Sequence, residues 1–219
     1  MFRWSRSRSI CLIALILKGI YVCADVSAQS SYERRIIRRA DVDTLESYFG
    51  TKEEFKNGGK QISRIIKSVG GHVGEPYCSY GKLYCAKVNQ IKLLRKINGT
   101  AASWLLKNTV KVRFGKVINN TPVKRGDIVL IRRKGGSGYH VETLRRWNTQ
   151  KPNYCLTGGF NTRSPYEHES RAEGIFPHWR AKKMIIILDY EKAWNMNEQD
   201  IHNLCVSLNR QYLKNKRKE

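Results

Sequence analysis

The spacing of hydrophobic positions predicts helices at both ends of the chain. Isoleucines recur at helical spacing between Gln61 and Val69, and Gly70-Gly71 ends this helix. A second helix is predicted from Cys78 to about Asn98, where apolar residues again recur every three or four positions. The same period returns from about Asn197 to Leu213, so an amphipathic helix is expected near the C-terminus.

Between these helices the period changes to short apolar runs separated by glycine-containing turns, which is typical of strands. The predicted strands are Lys111 to Phe114, Asp127 to Arg132, Tyr139 to Trp147, Tyr154 to Thr157 and Met184 to Leu188. Helices followed by a run of strands indicate an α+β fold with a mainly antiparallel sheet.

The N-terminus has the pattern of a secretory signal. Arginines precede an apolar run from Ile10 to Val22, and small residues precede Gln29. This order predicts a signal peptide over residues 1–28, cleaved near Ala28, and therefore a secreted or periplasmic protein. The run is short and contains Lys18, so we expect no stable membrane span after processing. An uncleaved anchor is the alternative.

The positive charge of the chain favours negatively charged binding partners. The formal net charge is +23, from 41 basic and 18 acidic residues. Such an excess favours anionic partners, which for an exported protein are wall polymers, lipid phosphates or extracellular nucleic acid. No nucleic-acid-binding motif is present, so a specific nucleic acid is not expected.

Cysteine spacing predicts neither a disulfide scaffold nor a metal site. Cys78, Cys85, Cys155 and Cys205 remain after the predicted signal peptide, which is too few for a disulfide-rich fold. They form no CxxC pair and no cluster with histidine at metal-ligand spacing. We therefore expect no metal and no cofactor.

One cysteine stands where a thiol becomes a nucleophile. Cys78 follows Pro76 at the predicted start of a helix, and unpaired N–H groups there lower the pKa of a thiol. His140 lies on a predicted strand and Asn161 follows Gly158-Gly159. Cysteine, histidine and asparagine serve in thiol hydrolases as nucleophile, general base and orienting group. A buried inert cysteine, an ordinary strand histidine and a turn asparagine are the alternatives.

The motifs around these residues resemble those of the CHAP and NlpC-type peptidoglycan hydrolases, which are papain-like cysteine enzymes. The matching segments are Pro76-Tyr77-Cys78-Ser79, Ala101 to Trp104, Thr121 to Val129, His140-Val141 and Gly159 to Thr162. The chain departs from the pattern in three places. Ser79-Tyr80 replaces two small residues, Phe160 is an insertion, and Gly159 stands where many relatives carry Glu.

The resemblance implies a papain-like fold in which the nucleophile helix packs on an antiparallel sheet. It implies Cys78 as nucleophile, His140 as general base and Asn161 as the group that orients the imidazole. We expect the aromatic residues beside these motifs to bind substrate, and these are Tyr77, Trp104 and Tyr139. The predicted domains are an N-terminal helical extension (29–60), the catalytic domain (61–190), and a C-terminal amphipathic helix with a basic tail (191–219).

The function expected from these features is that of a secreted, monomeric cysteine hydrolase that cleaves an amide bond in peptidoglycan. The bond lies either in the stem peptide, for an endopeptidase, or in the muramoyl-L-alanine linkage, for an N-acetylmuramoyl-L-alanine amidase. Two alternatives remain open. One is a wall-binding module on the same fold with weakened catalysis, and the other is a basic protein that binds anionic polymers.

Overall fold

A computed structural model describes residues 28–92, 97–106, 108–133, 138–165 and 172–216. The helices are α1 (28–46), α2 (Lys60–Ser68), α3 (Cys78–Val88), α4 (Tyr190–Ala193) and α5 (Glu198–Lys216). The strands are β1 (Val110–Arg113), β2 (Lys116–Val117), β3 (Ile128–Arg132), β4 (Tyr139–Arg146), β5 (Tyr154–Arg163), β6 (Glu173–Ala181) and β7 (Ile185–Leu188). The predicted signal peptide lies outside these residues except for Ala28. Within them, no helix is both long and apolar enough to cross a membrane.

The strands form a seven-stranded sheet in the order β2-β1-β7-β3-β4-β5-β6. Every neighbouring pair is antiparallel, which confirms the predicted α+β class and antiparallel sheet. Strand β6 was not predicted, and β5 is longer than predicted because it continues through Gly158-Gly159. These glycines lie inside the strand because other side chains occupy their Cβ positions: the ring of Phe49 at Gly158 and Glu142 at Gly159.

Helix α3 is shorter than the sequence predicts. It ends at Val88 rather than near Asn98, because Gln90 adopts a left-handed conformation with φ of 59°. The side-chain amide of Asn89 donates to the carbonyl of Cys85 and to the hydroxyl of Thr44, which fixes this end of the helix. The apolar residues beyond it belong to a separate segment, part of which lies outside the described residues.

The terminal helices share the main core with the sheet. Ile37 of α1 and Ile201 of α5 lie in the same buried cluster as Cys78 of α3 and Leu130 of β3. The segments predicted as an N-terminal extension and a C-terminal helix therefore pack against the central body.

Buried ion pairs connect α1 to the sheet and to helix α3. Arg38 of α1 pairs with Asp127 at 2.6 Å, and Asp127 also accepts a hydrogen bond from Lys111. On the next turn Asp41 pairs with Lys82 of α3. These side chains are nearly inaccessible, so the loss of either partner leaves an uncompensated buried charge.

Phe160, the extra residue in the motif comparison above, packs against helix α3. A Cβ atom at Gly81 would lie 2.0 Å from the Phe160 ring, so only glycine permits this approach of α3 to β5. The extra residue also creates a β-bulge, because the β5–β6 register shifts between Phe160 and Thr162. Asn161 occupies the bulge with φ of 56°.

Gly81→Ala is expected to destabilise the protein by about 1–3 kcal/mol, the usual cost of overpacking a core. Because the added methyl group meets the Phe160 ring, the double variant Gly81→Ala/Phe160→Leu should recover part of the loss. Urea unfolding of the two variants and the parent measures this. Equal stability of Gly81→Ala and the parent would contradict the packing of α3 on Phe160.

Candidate active site

Cys78 is the first residue of α3 and lies at the floor of a cleft. The cleft has a volume of about 550 Å³ and is bordered by Pro76, Tyr80, the 98–102 segment and Tyr139. The Cys78 side chain is almost completely buried and lies in the first turn of the helix, where backbone N–H groups have no partner within the helix. The sulfur lies within hydrogen-bonding reach of the backbone N–H groups of Ser79 and Val141.

Ser79 and Trp104 hold the 98–104 segment against the start of α3. The Ser79 hydroxyl donates to the carbonyl of Asn98 and accepts a 2.8 Å hydrogen bond from Nε1 of Trp104. Trp104 is fully buried and makes an edge contact with Trp194, with ring centroids 5.0 Å apart. Ser79 therefore helps to position the wall of the cleft.

The structure brings His140 of β4 into contact with Cys78. Burial alone would raise the pKa of the Cys78 thiol, but the hydrogen bond and charge of His140 outweigh it and lower this pKa below its ordinary value. Burial alone would lower the pKa of His140, yet its contacts with Cys78 and Glu142 raise it to about 9. Both shifts favour a thiolate–imidazolium ion pair at neutral pH.

Glu142 is the acidic partner of His140. It lies two residues further along β4, so both side chains project from the same face of the strand. Nε2 of His140 is 3.2 Å from Oε1 of Glu142, an ion-pair distance, although the angle is not that of a well-aligned hydrogen bond. Because Nε2 faces the carboxylate, Nδ1 is the ring nitrogen available to Cys78.

Two further side chains fix Glu142. The Thr157 hydroxyl donates to Oε2, and the Arg180 guanidinium donates to both carboxylate oxygens. Burial would raise the pKa of this carboxyl, but the contact with His140 and the hydrogen bonds from Arg180 hold it well below its ordinary value. Glu142 is therefore a buried carboxylate in a defined orientation, with its charge directed at the imidazole.

Asn161 does not occupy the position predicted for it. Its side-chain amide donates to Oδ1 of Asn57 at 3.0 Å, and Asn57 in turn donates to the carbonyl of Gly74. The bulge that accommodates Phe160 places Asn161 in this contact rather than beside His140. A Cβ atom at Gly159 would lie 2.6 Å from Cγ of Glu142. Glu142 thus occupies the space that a side chain at position 159 would need.

The structure contradicts the predicted substrate-binding role of two of the three aromatic residues. Tyr77 is fully buried in a second apolar cluster with Phe160, so it presents no surface to a ligand. Trp104 is likewise fully buried, because its ring fills the core beside Trp194. Tyr139 borders the cleft and is partly exposed, so its substrate-binding role stays a prediction.

The spacing of His140 and Glu142 in the sequence already indicated that the two side chains lie together, although the motifs did not include Glu142. A His-x-Glu pair within a strand places both side chains on one face by the two-residue period of a strand. Arg180 had no such signal, since β6 was not predicted and its register with β5 decides the contact.

The remaining described cysteines have no reactive environment. Cys85, Cys155 and Cys205 are buried, and all four described cysteines are free. Burial raises the pKa of each of these three thiols, to about 11 for Cys155. Among the described residues no group of His, Cys, Asp and Glu side chains could hold a metal ion.

Alkylation of Cys78 is expected at a lower pH than alkylation of ordinary thiols. Since its pKa is lowered, the thiolate persists below the usual value of about 8.5. Since the pKa of His140 is about 9, the imidazolium persists up to that pH. Iodoacetamide labelling from pH 5 to 10, read by mass spectrometry of the cysteine peptides, should therefore modify Cys78 first. Simultaneous labelling of Cys78 and Cys205 would argue against the ion pair.

The described site is a cysteine–histidine–glutamate arrangement at a helix N-terminus, on an α+β scaffold. Comparison with known proteins adds no assignment: no protein-family model, no curated protein and no solved structure matches this chain.

Proposed function

We propose that the protein is a cysteine hydrolase that cleaves an amide bond of peptidoglycan. The observation that carries the proposal is the contact of Cys78, at the start of α3, with His140, whose imidazole is paired with buried Glu142. Acyl transfer through a thioester requires a nucleophile, a base in contact with it, and a group that orients the base. Cys78, His140 and Glu142 can fill these three roles.

In the proposed reaction the Cys78 thiolate attacks the carbonyl carbon of the amide. Negative charge then develops on the carbonyl oxygen, and the unpaired N–H groups of the first turn of α3 are the donors nearest to it. The His140 imidazolium donates its Nδ1 proton to the leaving nitrogen as the C–N bond breaks. A thioester on Cys78 and a free amine result.

Water completes the cycle. Neutral His140 accepts a proton from water, the hydroxide adds to the thioester, and the Cys78 thiolate leaves as the carboxylic acid is released. Glu142 keeps the imidazole in one orientation and stabilises its charged form in both steps. In this mechanism Glu142 supplies the carboxylate that the family pattern would place at Gly159.

Three features support peptidoglycan as the substrate and a papain-like fold of the CHAP or NlpC type. The family-like motifs occur in register over residues 61–190, with the nucleophile helix ahead of the histidine strand. The N-terminal pattern predicts export. The formal charge of +23 suits attachment to anionic envelope polymers.

Zymography separates this proposal from the non-enzymatic alternatives. Purified protein lacking residues 1–28 is run in a gel that contains wall material and is then renatured. A cleared band is expected for the parent and absent for Cys78→Ala. A protein that only binds the wall would clear neither lane.

A further inference from the structure

Tyr80 occupies a place built for an aromatic ring at the edge of the cleft. A Cβ atom at Gly71 would lie 2.7 Å from the ring, and one at Gly99 would lie 2.2 Å from the hydroxyl. Both glycines therefore make room for Tyr80. Tyr80 is part of the departure from the family pattern after the nucleophile, so the arrangement belongs to this chain.

The ring positions a carboxylate. The Tyr80 hydroxyl donates to Oε2 of Glu75 at 2.7 Å, and the backbone N–H of His72 donates to the same oxygen at 3.1 Å. These hydrogen bonds lower the pKa of Glu75, so it is ionised at neutral pH. Within the described part of the chain, Oε1 accepts no hydrogen bond and is available to a ligand.

Glu75 borders the same cleft as Cys78, with Arg133 on that cleft's lining as well. Glu75 thus places a fixed negative charge on the lining of this cleft, in a chain with 41 basic and 18 acidic residues. A carboxylate with one open oxygen binds a primary ammonium group through a charge-assisted hydrogen bond.

We propose that Glu75, held by Tyr80, selects substrates that carry a primary ammonium group close to the scissile amide, such as a diamino-acid side chain or a free amino terminus. The inference rests on the proposed hydrolase function, since it names the chemistry that the cleft recognises. Glu75 positions the substrate and takes no part in proton transfer.

The first test uses two soluble peptides that are identical except that one amine is free or acetylated. The parent should have a kcat/KM on the order of fivefold higher for the free amine, as for a partly exposed ion pair. Glu75→Gln should abolish this preference, because glutamine still accepts from Tyr80 and His72 but carries no charge. Glu54→Gln, a carboxylate outside the cleft that accepts from the backbone of Lys60, is the matched control and should keep it.

A second test reads the charge at Cys78 without any turnover. Its thiolate attacks the sulfenyl sulfur of a methanethiosulfonate, forming a mixed disulfide and releasing methanesulfinate. We compare the 2-aminoethyl reagent, a cation, with the 2-sulfonatoethyl reagent, an anion. Glu75→Gln should lower the cation-to-anion ratio of rates severalfold, Arg133→Gln should raise it, and Tyr80→Phe should lower it partially.

The two tests fail in different ways. If the parent cleaves neither peptide while the reagent ratio still depends on Glu75, the hydrolase proposal fails. The claim that Glu75 attracts cations to the cleft is then still supported. If both peptides are cleaved equally by the parent, or if Glu75→Gln leaves the reagent ratio unchanged, the role of Glu75 is overturned.

Discussion

Replacing Cys78 with alanine is expected to lower turnover of a soluble muropeptide by on the order of a thousandfold or more, as loss of a nucleophile does in hydrolases. In the proposed reaction the thiolate forms the bond to the carbonyl carbon. No other described cysteine has both a lowered pKa and a position on the lining of the cleft. The measurement is the initial rate of amine release from the muropeptide at pH 7, with melting temperatures recorded alongside.

Cys205→Ala is the matched control for this prediction. Cys205 is also a free, buried cysteine, but burial raises its pKa and it lies on α5, away from the cleft. Its variant should keep the rate of the parent. Full activity of Cys78→Ala would remove Cys78 from the mechanism, whatever the behaviour of the control.

Glu142→Gln is expected to reduce the same rate by on the order of a hundredfold or more, since loss of the carboxylate that orients a catalytic imidazole has effects of this size. Glutamine keeps the shape but removes the charge that helps to raise the pKa of His140 to about 9. The imidazolium should therefore deprotonate at lower pH, and the alkylation advantage of Cys78 below neutral pH should shrink. A loss of stability alone would not move this pH profile.

Asn161→Gly distinguishes the two candidates for the orienting residue. Glycine tolerates the left-handed backbone at this position, where φ is 56°, so the variant removes the side chain without strain. Because Asn161 contacts Asn57 and not His140, the pH profile of alkylation should match that of the parent. If Asn161→Gly shifted the profile and Glu142→Gln did not, the original assignment of Asn161 would be restored.

The helices and strands that follow strong periodicity could be predicted from the sequence, as could the class of the fold. Helix α2 and strands β3 and β4 lie within one residue of their predicted bounds. Strand β5 was cut short because its paired glycines were interpreted as a turn. The glycines instead leave space for the side chains of Phe49 and Glu142. Because these residues are distant in the sequence, local patterns do not reveal the contacts.

The site was predictable to the extent that it depends on local position. Cys78 and His140 each lie at a recognisable point of an element, and the fold brings them together. Asn161 was misplaced because a single inserted residue produces a bulge and redirects the side chain, which motif spacing does not reveal. The predicted substrate-binding roles of Tyr77 and Trp104 were wrong for a related reason. Both side chains are buried in the core, and a motif alone does not show whether a neighbouring aromatic residue packs in the core or contacts substrate.

Mass spectrometry of the fragments released from purified sacculi tests the central claim most directly. The parent protein should release soluble fragments in which one amide bond has gained water, giving a new amine and a new carboxylate, and Cys78→Ala should release none. Sacculi left intact by the parent would contradict the proposed function. So would fragments whose amide bonds are all intact, or release that continues undiminished in Cys78→Ala.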